Sequence, residues 1–234
     1  MTYFQKISFS FMFLILILSC RENNTQQRLG KFPGEWVART GVAGKNLWTI
    51  GTARLDPSDS TKFIVSPEGD ELINTGEGSV DILTREKYGD IHVALEFMIP
   101  VDGNSGVYPL GEYEIQIWES FSKPIIMENQ WLGTIVATAE PRVHAEKGGG
   151  EWQQLSFDFR APRFDPKGNK IANARFDRVV LNGQIIHENV EVPKPTPVCL
   201  TGKESPTGPL MLQGFVGPAA FRNIKIVPLE AKHE

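Results

Sequence analysis

Ile91-His-Val-Ala-Leu-Glu-Phe-Met-Ile99 is the stretch whose reading decides the fold. Its apolar residues recur at every second position: Ile91, Val93, Leu95, Phe97 and Ile99 share one side. His92, Ala94, Glu96 and Met98 share the other. A period of two is the signature of a half-buried strand, because successive side chains point to opposite faces. On both sides of it the pattern repeats. Short β-rich runs follow at Leu47–Leu55, Lys62–Val65, Glu71–Asn74, Ser79–Thr84, Ser105–Tyr108, Glu112–Trp118, Gln153–Phe159, Arg175–Leu181, Gln184–His187, Leu210–Gln213 and Ala220–Val227. Pro, Gly, Asn and Asp separate these runs, and Asn182-Gly183 between VVL and QII is a type I′ hairpin signal. No window of helical length carries an apolar i, i+3, i+4, i+7 repeat; at most one short helical turn fits between Lys123 and Trp131. These runs predict an all-β jelly-roll sandwich, of concanavalin or laminin-G type, built from two antiparallel sheets.

Composition agrees with a single such domain. The chain has 234 residues, 41% of them hydrophobic, enough to bury a core without metal or disulfide. Its formal charge is −4, from 24 basic and 28 acidic residues with no basic block, which gives no support to nucleic-acid binding. The first residues read as an export signal. Lys6 precedes an apolar run, Phe9–Leu18, that is too short to span a bilayer comfortably and ends in Ile17-Leu18-Ser19-Cys20. That ending resembles the lipobox of bacterial lipoproteins. The resemblance implies a signal peptide over 1–19, lipidation of Cys20, and attachment to the cell envelope through the lipid alone. Residues 20–44 then form a tether leading into a domain at 45–230. With Cys20 lipidated, Cys199 stands alone, and no histidine near it in sequence marks it as a nucleophile.

The stretch Gly103–Ser120, GNSGVYPLGEYEIQIWES, carries the candidate chemistry. Alternation groups Glu112, Glu114, Gln116 and Trp118 against Tyr113, Ile115 and Ile117. Acid, amide and indole in one row suit a sugar surface, since hydroxyls want fixed acceptors and pyranose C–H faces pack on aromatic rings. Alternation alone does not separate that from an exposed strand. Asn104-Ser105-Gly106 in front of it adds small residues and a side chain that both donates and accepts. Glu96 lies on the polar side of its own strand, and would converge with Glu114 if both strands joined one sheet. Paired carboxylates can divide acid and base roles. Gln116 stands where sandwich glycosidases with an acid-x-acid-x-x-acid strand hold a central acid, which disfavours double displacement. His144 fits either a general base or acid, or a plain loop histidine. His92 and His187 read as structural or exposed. No metal-ligand spacing is present, so no metal or other cofactor is assigned, and a divalent ion is not readable from the sequence.

The ordered set Tyr88-Gly-Asp, Glu96-Phe, Gly103-Asn-Ser-Gly-Val, Tyr113-Glu-Ile-Gln-Ile, Gly150-Glu-Trp, Leu181-Asn-Gly, Gly208-Pro-Leu-Met-Leu-Gln and Phe221-Arg-Asn-Ile-Lys-Ile resembles the 3-keto-disaccharide hydrolase family over residues 45–228. The resemblance implies a concanavalin-like sandwich acting on carbohydrate. It implies removal of the C2 proton acidified by a C3 ketone, β-elimination of the aglycone, and hydration, a net hydrolysis with no carboxylate nucleophile. By the family's positions Glu114 is a base or base-orienting carboxylate, with Asn104 and Gln116 holding sugar hydroxyls; Trp118, by its row, and Glu96 and Gln213 are the further candidate substrate contacts. His144 and Lys147 fall in the family's Ala-Pro-x-x-Asn-Ala-x-Lys loop, and Lys147 would polarise the ketone. One departure stands out: relatives often read Leu-Gln-Asp-His-Gly where this chain has Leu212-Gln213-Gly214-Phe215-Val216. An oxidase making the 3-keto sugar is the implied metabolic partner. The competing expectation is a carbohydrate-binding lipoprotein without turnover.

Overall fold

The alternation of Ile91–Phe97 is spent on an interior shared by two sheets. The computed structural model describes residues 35–123 and 130–230. The larger sheet has seven strands, in the order β12 (Gln184–Val192), β11 (Ala174–Leu181), β8 (Gln153–Arg160), β5 (Ile91–Met98), β14 (Ala219–Pro228), β3 (Asp59–Asn74) and β2 (Trp48–Asp56). The smaller has five: β1 (Trp36–Ala38), β4 (Ile82–Thr84), β13 (Met211–Leu212), β6 (Asn104–Tyr108) and β7 (Ile115–Trp118). Every ladder between these strands is antiparallel. The chain passes from one sheet to the other between β1 and β2, β3 and β4, β4 and β5, β5 and β6, β7 and β8, β12 and β13, and β13 and β14.

One apolar core lies between the sheets. Val93, Leu95, Phe157, Phe176 and Phe221 of the larger sheet pack in one cluster with Ile82, Val107, Ile115, Ile117 and Leu212 of the smaller. Each such side chain contributes roughly 1.5–3 kcal/mol on leaving water, the driving force for closing the sandwich. The Tyr113 and Phe159 rings, 5.3 Å apart, join the two layers near one end. Asn182 and Gly183 both have positive φ, 49° and 83°, the geometry of the type I′ turn expected between β11 and β12.

Several boundaries differ from the periodicity. Lys62–Val65 and Glu71–Asn74 are parts of one long strand, whose register against β2 shifts between Gly51 and Thr52. β1 and the small hairpin of β9 (Arg163–Phe164) and β10 (Lys170–Ala172) carry too few residues for alternation to show. Trp36, in β1, is buried in the main core. The strand expected over Glu112–Trp118 begins only at Ile115. Pro109–Gly111 form a single 3₁₀ turn with Leu110 at φ 57°, and the chain leaves it through Glu112. Glu112 is therefore no part of the Glu114 row. Its carboxylate accepts from the Thr201 N–H and hydroxyl and from the Gly202 N–H, fixing the loop after Cys199. The export signal, Cys20 and most of the tether lie outside the described residues, as does most of the helical turn expected after Lys123.

Candidate active site

The outward face of the five-stranded sheet brings five of the sequence candidates together. Val107, Ile115 and Leu212 point into the core, so Asn104, Gly106, Tyr108, Gln116, Trp118 and Gln213 take the opposite face. Register pairs Asn104 with Trp118 and Gly106 with Gln116. Gln213 continues the β13–β6 ladder, its N–H donating to the Gly106 carbonyl at 2.9 Å. Glu114 stands at the head of β7. Its N–H donates to the Thr196 hydroxyl at 2.9 Å, and its carbonyl accepts from the Val136 N–H.

The Glu114 side chain folds back over Gly106. A Cβ at Gly106 would sit 2.7 Å from Glu114 Oε1 and 2.8 Å from the Tyr108 ring, so only glycine leaves room for this carboxylate. The Tyr108 hydroxyl donates to Glu114 and itself accepts from Gln213 Nε2 at 2.9 Å, a relay of three side chains from adjacent strands. Burial pushes the Glu114 pKa up from 4.5 to about 7; the bond from Tyr108 opposes the rise and the neighbouring Asp81 charge adds to it. Burial and the Glu114 charge push the Tyr108 hydroxyl far above its ordinary value, so it remains a donor. Asp81 is held by Arg39 at 2.9 Å and by the Gly214 N–H at 3.0 Å.

At the other end of the face, Asn104 Oδ1 is buried with no hydrogen-bond partner among the described residues. A buried acceptor of this kind costs about 1–3 kcal/mol unless something donates to it. At the Tyr108 end, Cys199 has its thiol driven up to about 11, by burial first and then by its bond to Glu112, which makes it inert as a nucleophile at neutral pH.

Three candidates lie elsewhere. Glu96 does not converge with Glu114, because β5 and β7 belong to different sheets and both side chains face outward. Glu96 accepts from Arg222 at 2.7 Å and Asn223 at 3.0 Å. Burial alone would raise its pKa, but these two bonds and the Arg222 charge hold it below the usual value. A hollow of about 430 Å³ over that sheet, lined in part by Glu96, Gln154, Ser156 and Lys225, thus has its carboxylate committed to an arginine. Lys147 is on the Glu96 side: its charge acts on Glu96, and its ammonium donates to the Trp152 carbonyl at 3.0 Å. The geometry corrects its expected place beside Glu114. The exposed His144 ring stacks on Trp131, centroids 3.9 Å apart, and makes no hydrogen bond to the Glu114 cluster. His92 pairs with Asp158 across β5 and β8, and buried His187 bonds the Gly133 carbonyl.

Tyr108, Asp81 and Arg39 were not singled out by sequence. Tyr108 had a signal, since it shares the alternation of Asn104 and Gly106. Asp81 and Arg39 had none. Among the described residues, no group of three or more His, Cys, Asp or Glu is placed to hold a metal ion.

A two-sheet sandwich whose sequence carries this family's pattern is a carbohydrate-active protein. The chain belongs to the family described as the 3-keto-alpha-glucoside-1,2-lyase-like domain, which matches residues 30–227. Among solved structures it is similar to three proteins of Parabacteroides distasonis provisionally named glycosyl hydrolases. The first is 23% identical, with a TM-score of 0.60 over 85% of this chain and 92% of that one. The second is 19% identical, with a TM-score of 0.53 over 83% and 99%. The third is 18% identical, with a TM-score of 0.51 over 80% and 91%. At such identities the likeness concerns the fold alone. Comparison with curated proteins finds no match.

Proposed function

We propose that the face around Glu114 cleaves 3-keto-glycosides by elimination, and that Glu114 is the base. One observation carries the reading: a carboxylate with no cationic partner among the described residues, buried over Gly106, whose pKa of about 7 suits proton abstraction near neutrality. The C3 ketone acidifies the C2–H. Glu114 takes that proton, the C–H electron pair forms the C1=C2 bond, and the C1–O bond breaks with its pair going to the aglycone oxygen. Water then adds to the enone, giving net hydrolysis. The Gln213–Tyr108 relay aims the carboxylate, and Gln116 and Asn104 offer amides to sugar hydroxyls on either side of Gly106. The chemistry needs no second carboxylate, which accords with Glu96 being committed on the other sheet.

The deciding experiment is NMR of the chain with a 3-keto-glucoside and its unoxidised parent in heavy water. Deuterium entering C2, and cleavage of the keto sugar only, is the expected outcome. Cleavage of the parent, or no cleavage of either, would sink the elimination reading. Binding without turnover is the second reading, favoured by Phe215-Val216 at the position where relatives often carry Asp-His. It requires saturable shifts with no product.

We also propose that the chain is exported, lipidated at Cys20 and held on the cell envelope; support comes from the Ile-Leu-Ser-Cys ending of the apolar run. Mass spectrometry of the mature protein should show an N-terminal acylated Cys20. An intact Met1 or an unmodified cysteine would refute it. An enzyme that oxidises a glycoside at C3 must supply the substrate.

A further inference from the structure

The loop 193–204, between β12 and β13, grips every residue from Gly111 to Glu114. The Leu200 N–H donates to the Gly111 carbonyl, and the Thr196 N–H to the Glu112 carbonyl, both at 2.8 Å. The Glu112 carboxylate returns the hold through Thr201 and Gly202. The Tyr113 hydroxyl donates to Glu204 at 2.9 Å, and Glu204 pairs with Lys170. Arg39 joins the loop to the site, donating to the Leu200 carbonyl at 2.8 Å and to Asp81. The remaining contact falls on Glu114, whose N–H donates to the Thr196 hydroxyl at 2.9 Å. Both residues are buried.

The end of the ladder gives that bond its weight. Pairing of β6 with β7 stops at Val107 and Ile115, one residue short of Glu114. The left-handed turn at Leu110 lies just before it. The Glu114 carbonyl is held by the Val136 N–H, whereas its N–H is held by the loop alone. The loop has one imposed shape. Val198 sits at φ 63°, a conformation that a β-branched residue keeps only when its surroundings dictate it.

Resting on the reading of Glu114 as the base, we propose that Thr196 is a positioning residue: its hydroxyl fixes the Glu114 main chain so that the carboxylate folds over Gly106 towards the sugar C2–H. The gap over Gly106 is narrow, too tight even for a Cβ there, so a turn of the Glu114 backbone withdraws the carboxylate from it. The groups acting on the carboxylate are Tyr108 and Asp81, so Thr196 works through the backbone.

The test compares the full-length chain with Thr196→Val, Thr196→Ser and Thr201→Val on a 3-keto-glucoside. Thr196→Val removes the acceptor at nearly constant volume. It should lower kcat about a hundredfold, the scale of a misplacement of about 1 Å, with KM unchanged. Thr196→Ser keeps the hydroxyl and should restore most of the loss. Thr201→Val removes a hydroxyl of the same loop that bonds Glu112 instead, and should leave kcat near that of the wild type. Equal losses in Thr196→Val and Thr201→Val overturn the proposal, as does a rise in KM with kcat intact. Thr196→Ala carries the same expectation if Thr196→Val does not fold. If the wild-type chain turns over no 3-keto-glucoside, the base reading fails, and positioning is read by carbon-13 NMR of the Glu114 carboxyl, assigned with Glu114→Gln. Its midpoint of about 7 should fall towards 4.5 in Thr196→Val and stay in Thr196→Ser. An unchanged midpoint in Thr196→Val overturns the positioning independently of any chemistry.

Discussion

Glu114 and Glu96 occupy equivalent-looking places, each on the outward side of a strand in opposite sheets, yet they end with opposite electrostatics. Glu96 meets Arg222 and Asn223 and is held below the ordinary carboxylate pKa. Glu114 meets a tyrosine hydroxyl and the like charge of Asp81, inside a covered site, and rises to about 7. Burial acts on both in the same direction. A cation decides the outcome. Carboxylates placed alike by strand periodicity are thus separated, one lowered and one raised in pKa, by what the adjacent strands carry across from them.

The sharpest way to break the contrast is Glu114→Gln, which should lower turnover of a 3-keto-glucoside by about a thousandfold, within the range for loss of a general base. Glu96→Gln should leave turnover unchanged. Equal losses would put Glu96 back into the site. Next in size is Gly106→Ala. The added methyl has to displace the Glu114 carboxylate or the Tyr108 ring, at about 1–3 kcal/mol by chemical denaturation, and it should depress turnover as well.

A third prediction uses the sign of the shift. The folded pKa of Glu114 is above the unfolded value of 4.5, so its favourable contribution to stability is complete below about pH 4.5 and is lost as pH rises through about 7. Glu114→Gln should therefore raise stability at pH 8 by on the order of 2 kcal/mol and change it much less at pH 4. Activity should move the other way, its acid limb falling near pH 7 as the base becomes protonated. A wild-type acid limb near pH 4.5 would contradict the buried environment. The smallest effect is that of Glu96→Gln on stability, under about 1 kcal/mol, because the partly exposed Arg222 pair is screened by solvent.

Periodicity made most of the sandwich legible. Ile91–Phe97 and the VVL-Asn-Gly-QII hairpin follow local rules that the fold left intact. It also grouped Gln116 and Trp118 with Glu114, while Asn104 came from the segment in front of that strand and Gln213 from the family motif. Alternation states which side of its own strand a residue takes, not which sheet the strand joins, and Glu96 was misplaced for that reason. Glu112 was misplaced because Leu110 turns left-handed between Pro109 and Gly111, so the strand starts three residues late. Asp81 acts on Glu114 from just before β4, a segment that only the folded sheet brings near β7, whereas Tyr108 shares a readable alternation with Asn104 and Gly106. Lys147 was carried to the site by family position, while its own segment runs beside Trp152 and Gln153.

Asn74, fully buried at the end of β3 in the larger sheet, donates through one amide nitrogen to the carbonyls of both Gly214 and Gly217. The two residues between those anchor points, Phe215 and Val216, contribute nothing to that clasp except their position. The arrangement works like a tool holder. The jaws belong to the scaffold, and the bit can be exchanged without rebuilding the machine. Two substitutions at that tip would recast the surface the loop presents while the folding remained essentially untouched, so that surface can drift faster than the architecture beneath it.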